Sequence, residues 1–224
     1  MNEKLLRDLE GLSKKETELK LNDSNIQQTN PLGLKKWYME EVENINRLID
    51  ECENEIGLKN VCTSGCYHCC YQPIAILEFE AIIIKKHLEV MNNDEKKQLL
   101  RKSKEILGAI ESHGISTNVS MIKSESSIHS YMKQYFKMQT PCVFLDNELK
   151  QCKIYSVRPL NCWTYRAYFT AENCKCSHDI INSIKYDDWG YKTIQKVFKV
   201  KPPKSSFHIK LLPLVVKDIL EGKW

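Results

Sequence analysis

The sequence predicts a mainly α-helical fold with one small β-hairpin, arranged as an irregular single domain, and three observations support this. Apolar residues recur at helical spacing along much of the 224-residue chain. One segment, Pro141 to Tyr155, has two short apolar runs flanking an Asp-Asn turn. Nine of the ten cysteines fall in two groups: Cys62, Cys66, Cys69 and Cys70, then, far downstream, Cys142, Cys152, Cys162, Cys174 and Cys176. A fold that joins these groups would be centred on metal.

Residues 1–30 form a first division. Leu5, Leu6, Leu9 and Leu12 sit at helical spacing among charges, and the polar stretch Asn22 to Asn30 follows, giving a weakly amphipathic helix and a linker. Residues 31–224 form the cysteine-cluster domain. It opens on a helix with Asn30 as N-cap and Pro31 in the first turn. A stripe runs through Leu34, Trp37, Tyr38, Val42 and Ile45 to Cys52 and Ile56, and Gly57 ends it. Within that stripe Cys52 reads as a small core hydrophobe, with ligand as the other reading.

Gln72 to Ile76 reads as extended, Glu78 to Met91 as a largely buried helix, and Asp94 to His113 as a helix closed by Gly114. Another helix spans Ser120 to Met138 and carries Ile128, Met132, Tyr135 and Phe136. His87, His113 and His129 lie on these helices without cysteine neighbours and read as surface or packing residues. The hairpin then places Cys142 and Cys152 near its open ends, where cross-strand pairing would set the two thiols side by side. Ser156 to Cys162 turns away and delivers a third. Cys174 or Cys176 would complete a second site, with His178 as a mixed ligand. Helical patterns resume from Asp179 to Phe198, break at Pro202-Pro203, and return from Ser205 to Leu220, where Pro213 argues against a regular helix.

The chemistry rests on the thiols. Thiolates are soft donors for zinc and iron–sulfur clusters, and gaps of two and three residues let a short backbone wrap one centre. On a helix, the spacing of Cys62, Cys66, Cys69 and Cys70 would also put all four on one face. Vicinal Cys69 and Cys70 point in different directions, so one of the pair is expected to serve a different centre. In a reducing cytosol such cysteine usage indicates metal or redox chemistry rather than disulfides. The formal net charge is +4; eight thiolates with two divalent ions would bring it to about zero, which removes a basic-patch argument for nucleic acid.

The start of the chain has no apolar core of signal-peptide length, and the most apolar run, Ile74 to Ile84, is interrupted by Glu78 and Glu80. A cytoplasmic protein without a membrane span is therefore expected. No Ser-His-Asp pattern, phosphate loop or dinucleotide fingerprint is present, which removes hydrolase, kinase and nicotinamide-enzyme readings.

The order Cys62-x3-Cys66-x2-Cys69-Cys70, Glu80-Ala81, Pro141-Cys142-x-Phe144-Leu145 and Cys152-x-Ile154-Tyr155-x-x-Arg158-Pro159-x-x-Cys162 resembles the YkgJ-type cysteine-cluster family of zinc- or iron-chelating domains. Trp163 departs from it, since the family often has arginine directly after the cysteine; whether Arg166 takes that place is open. Flagellin lysine methylases look like relatives with the same cysteine pattern. That resemblance implies, as an alternative to metal binding alone, an S-adenosylmethionine-dependent methyltransferase with an iron–sulfur cluster acting on a protein or peptide lysine.

The triplet Cys62-x3-Cys66-x2-Cys69 is closer to iron–sulfur spacings than to paired zinc knuckles, so a cluster, 4Fe-4S, is favoured over zinc. Radical S-adenosylmethionine enzymes share the triplet, but the repeated strand–helix units of their barrel are missing here. Arg158 either binds a substrate carboxylate or, between Cys152 and Cys162, offsets the charge of thiolate-bound metal. Tyr155 and Tyr165 either pack around the centre or donate protons. Arg158 and Tyr155 are the candidate cofactor-binding pair.

Overall fold

Pro31 can open a helix because the first turn needs no amide donor there, and the structure, a computed structural model, begins its description at that residue. It describes residues 31–55, 57, 59–62, 65–119, 125–167, 183–185 and 210–224. In chain order the elements are α1 (Pro31–Glu55), a 3-10 turn (His68–Tyr71), β1 (Ala75–Ile76), α2 (Glu78–Glu89), α3 (Asn93–Ser112), α4 (Glu125–Lys137), β2 (Leu145–Asp146) and β3 (Gln151–Cys152). A second 3-10 turn (Tyr155–Val157), α5 (Leu160–Thr164), β4 (Tyr165–Ala167), β5 (Ser183–Lys185), β6 (Lys210–Leu211) and α6 (Leu212–Leu220) complete them. The protein is mainly α, with small two-stranded sheets pairing β1 with β6, β2 with β3 and β4 with β5. Among the described residues no helix is long and apolar enough to cross a membrane.

Two compact units divide these residues. One takes those up to 62 with 160–167 and 183–185; the other takes those from 65 to 159 with 210–224.

In the first unit α1 ends before Gly57, whose positive φ of 71° suits a residue without a Cβ. Tyr38 and Val42 of α1 are buried, and α5 packs against α1. β4 pairs antiparallel with β5, Arg166 opposite Ile184, and the Val61 amide donates to the Ala167 carbonyl at 2.9 Å. Arg166 reaches α1, with one guanidinium nitrogen 3.0 Å from Asp50 and another donating to Asn46 Oδ1 at 2.8 Å. Its charge is thus committed to α1. The strand at Ser183–Lys185 falls where the sequence suggests helix; cross-strand pairing of β-branched Ile184 overrides the local pattern there.

The second unit is built around α6, on which α3 and α2 pack. Asn92 caps α3 by accepting from the Glu95 amide at 2.9 Å, while Glu95 returns a carboxylate to the Asn92 amide, and Gly114 (φ 66°) closes the helix. Leu99, Ile106 and Ile110 of α3 are buried, as are Leu212, Val215 and Val216 of α6, which packs against it. α2 packs on α6 and on the Tyr155–Val157 turn through a face that includes Phe79, Ile83 and Ile84. Glu80 is buried because its carboxylate accepts from the Leu77 amide at 2.9 Å and so caps α2. Pro213 does not break α6, since it falls in the first turn, where its missing amide has no partner to lose.

At the end of α6, Glu221 accepts from Lys223 at 2.7 Å and from Lys104 of α3 at 2.9 Å. These two ammonium groups, Lys223 foremost, hold its carboxyl down at about 2 from an ordinary 4.5. A depressed carboxylate contributes stability above its unfolded value and loses it as pH falls through the folded one. Glu221→Gln should therefore lie below the wild type in thermal midpoint above pH 5 and converge on it as pH falls toward 2, as followed by circular dichroism.

The helix and linker expected over residues 1–30, residues 120–124 of the expected 120–138 helix, and most of the helix expected over 179–198 lie outside the described residues.

Candidate metal centre

Between Val61 and Tyr67 the described residues are not helical, so the one-face reading of Cys62, Cys66, Cys69 and Cys70 does not hold. Gly65 takes a φ of 87°, which a helix does not admit. A tight 3-10 turn follows, closed by the Cys70 amide on the Tyr67 carbonyl at 2.9 Å and the Gln72 amide on the Cys69 carbonyl at 3.1 Å. It carries Cys69 and Cys70 together. Their thiols hydrogen-bond each other.

The hairpin comes to this turn. The Cys142 amide donates to the Cys70 carbonyl at 2.7 Å. Register pairs Cys152 with Leu145 and Gln151 with Asp146, so Cys142 is not the cross-strand partner of Cys152. Instead, a turn closed by the Leu145 amide on the Cys142 carbonyl at 3.0 Å precedes β2, and the charges of Cys142 and Cys152 sense each other. Asp146 caps the hairpin loop by accepting from the Glu148 and Leu149 amides, both at 3.0 Å. Lys150 takes a positive φ of 55° in that loop and places its ammonium 5.0 Å from the Tyr67 ring centre.

Both hairpin cysteines repeat one local arrangement. The Phe144 amide donates to the Cys142 sulfur and the Ile154 amide to the Cys152 sulfur, in each case two residues on. Amide donors of this kind stabilise a thiolate and tune a metal bound to it. Burial opposes them: it pushes the Cys142 thiol up to about 12 and raises Cys152 as well. Cys69 goes the other way, down to about 7, because the Cys70 hydrogen bond and then the Arg158 charge outweigh its burial.

Two cations face this group. Arg158 acts on Cys69 and Cys152, and its guanidinium lies 4.3 Å from the Tyr155 ring centre. Lys102 of α3 acts on Cys142 and Cys70 and donates to the Leu145 carbonyl at 2.7 Å. Burial, then the charge of Lys153, lowers the Lys102 pKa.

Cys66 lies on the same unit, half-buried. Cys62 (exposed) and Cys162 (half-buried, on α5) belong to the other unit. Cys174, Cys176 and His178 lie outside the described residues, as does the side chain of Cys52. His113 is exposed at the end of α3, with Nδ1 2.8 Å from the Ala109 carbonyl, which suits a surface residue. Among the described residues no three Cys, His, Asp or Glu side chains are gathered closely enough to hold an ion as they stand.

Sequence reading missed Lys102 and the two amides. The repeated Cys-x-apolar step in Cys142-Val143-Phe144 and Cys152-Lys153-Ile154 was the available signal for the amides; nothing in the sequence marks Lys102 among its neighbouring lysines.

A family model described as "CxxCxxCC: Putative zinc- or iron-chelating domain" matches residues 61–179, just over half of the chain. The chain belongs to this cysteine-cluster family. No curated protein and no solved structure matches it. The zinc- or iron-chelating domain spans all nine clustered cysteines and leaves Cys52 outside, and its metal-binding character agrees with the thiol chemistry above.

One consequence concerns reactivity. In reduced protein stripped of metal, iodoacetamide at pH 7 should modify Cys69 roughly a hundredfold faster than Cys142, because attack needs the thiolate. Peptide mass spectrometry over time reads the order; equal rates would contradict these environments.

Proposed function

We propose that this family member binds its metal through Cys69, Cys70, Cys142 and Cys152, with Cys66 as an adjacent donor, and that the metal is an iron–sulfur cluster of the 4Fe-4S type. What supports the site is the bond from the Cys142 amide to the Cys70 carbonyl, which ties the Cys69–Cys70 turn to the hairpin that carries Cys142 and Cys152, with Arg158 and Lys102 acting on these thiols. Four thiolates around a divalent zinc, or around a 4Fe-4S core of the same charge, leave about −2, which Arg158 and Lys102 match. The donor set therefore suits either metal, and rotation about each Cys χ1 adjusts the sulfurs toward a centre. The run of closely spaced thiols at Cys66, Cys69 and Cys70, joined by cysteines from afar, is the pattern that favours the cluster over zinc.

When bound and held by four thiolates, such a cluster would supply electron transfer. The protein's own residues supply the rest: amides at Phe144 and Ile154 hold the thiolates, Arg158 offsets their charge, and Tyr155 supports Arg158.

A second reading takes the site as catalytic. Tyr155 is 53% exposed while its ring lies against Arg158, so the surface reaches the arginine that acts on Cys69 and Cys152. In that reading S-adenosylmethionine and a lysine of a protein or peptide meet the site there.

Metal and acid-labile sulfide assays on protein purified without oxygen, with an absorption spectrum, test the proposal. Iron with sulfide supports the cluster and calls for an S-adenosylmethionine binding assay. Zinc without sulfide overturns the cluster in favour of a closed zinc module.

A further inference from the structure

The backbone contact that joins the 3-10 turn to the hairpin is made by two cysteines, the Cys142 amide donating to the Cys70 carbonyl at 2.7 Å. With standard backbone dimensions on either side of that bond, the two Cα atoms stand at most about 6.6 Å apart, within the span of about 4.4–6.8 Å that a disulfide bridges. Cys69 and Cys70 fail the same measure. Neighbours across a trans peptide stand about 3.8 Å apart at Cα, below that span. The turn also holds both of them, through the Cys70 amide on Tyr67 and the Gln72 amide on Cys69. Cys142 and Cys152 share no rung of the hairpin ladder, where Leu145 faces Cys152. All of these cysteines are free thiols. Cys70 is half-buried, which leaves it open to a small oxidant, while the Cys142 sulfur is the more shielded of the two. The Lys102 ammonium acts on both.

We propose that Cys70 and Cys142 form a reversible disulfide in the metal-free chain, so that the oxidation state of this pair decides whether the site takes metal. The switch rests on both thiols being metal donors, as proposed above. Its oxidant is a hydroperoxide. The Cys70 thiolate attacks one peroxide oxygen and becomes a sulfenic acid, and the hydroxide that leaves takes up a proton. The Cys142 thiol then attacks the sulfenic sulfur, the S–S bond forms, and a second water departs. Two thiols and one hydrogen peroxide thus give one disulfide and two waters. The bond removes one donor from the turn and one from the hairpin, and reduction by a dithiol returns both. It also closes a loop that contains α2, α3 and α4, which restricts the unfolded chain. The empty site therefore stays assembled until it is reduced.

The test uses the full chain, reduced and stripped of metal without oxygen, then given an equivalent of hydrogen peroxide. Remaining thiols are blocked with iodoacetamide, and the peptides are mapped by tandem mass spectrometry. A Cys70–Cys142 crosslink is expected as the main product. Uptake of zinc, or of iron with sulfide, should then fall about tenfold or more, because two donors are gone, and should return after dithiothreitol. The oxidised metal-free chain should also melt above the reduced one. Cys70→Ser should lose the crosslink; because it removes a donor as well, the map of the wild type carries the test. Main products that join Cys69 to Cys70 or Cys142 to Cys152, or a sulfinic acid at Cys70, overturn the proposal. So does undiminished metal uptake by chain mapped as Cys70–Cys142. A mapped crosslink in a chain whose reduced form takes up neither zinc nor iron fails the metal reading while the disulfide stands.

Discussion

Protein carrying Cys142→Ser, purified beside the wild type, is expected to retain less than about a tenth of the wild-type metal. Supporting groups around a metal alone are worth 10–100-fold in affinity, and a ligand is worth more. Cys142 also has the least freedom to be replaced, since its amide is tied to the Cys70 carbonyl and its sulfur takes the Phe144 amide. Cys69→Ser should behave alike, whereas Cys52→Ser, outside the matched family span, should leave stoichiometry unchanged. Cys162→Ser distinguishes one centre from two: a partial loss indicates a second centre using that thiol, and full retention assigns Cys162 to packing. Inductively coupled plasma analysis of all four variants decides. Equal metal in Cys142→Ser and wild type would defeat the site assignment.

Phe144→Ala should cost the most stability, about 3–5 kcal/mol, against a total of about 5–15 kcal/mol for a natural domain. Phe144 is fully buried directly between the Cys142 turn and β2, and its carbonyl accepts from Lys153 at 2.9 Å. The substitution leaves the amide that faces the Cys142 sulfur in place. Its effect on metal should therefore run through folding: a lowered urea midpoint, with the metal site restored as stability is restored by osmolyte. Phe144→Leu should lose less. A wild-type urea midpoint in Phe144→Ala would show that this ring is not the core of the hairpin.

Much of this was legible from residues alone, where short-range physics decides. Pro31 and Gly57 delimit α1, and Gly114 closes α3, because caps and left-handed positions are local demands. The Asp146-Asn147 turn marks the hairpin for the same reason. The cysteines declared a metal site through spacing, but not its partition. Cys62 and Cys162 sit in a different unit from Cys69, Cys70, Cys142 and Cys152, and that follows from which distant segments pack together. Register was missed by the same token: a turn of three residues before β2 moves Cys142 off the ladder, and no periodicity records it. Pro213 misled because its meaning depends on where the helix begins.

The pairing of β1 with β6 sets an order of events during synthesis. Ala75 and Ile76 meet Leu211 and Lys210, and the Leu212 amide bonds the Ile74 carbonyl at 2.8 Å. The segment that follows Cys70 thus leaves the ribosome long before its strand partner exists. Until then α2 has no α6 to cover Ile83 and Ile84, and Cys69 and Cys70 sit in an unfinished unit. Contacts so distant in sequence form late and slowly, and they leave apolar faces and thiols exposed meanwhile. Newly made chains are accordingly most open to oxidation and aggregation in the interval before residues 210–220 emerge.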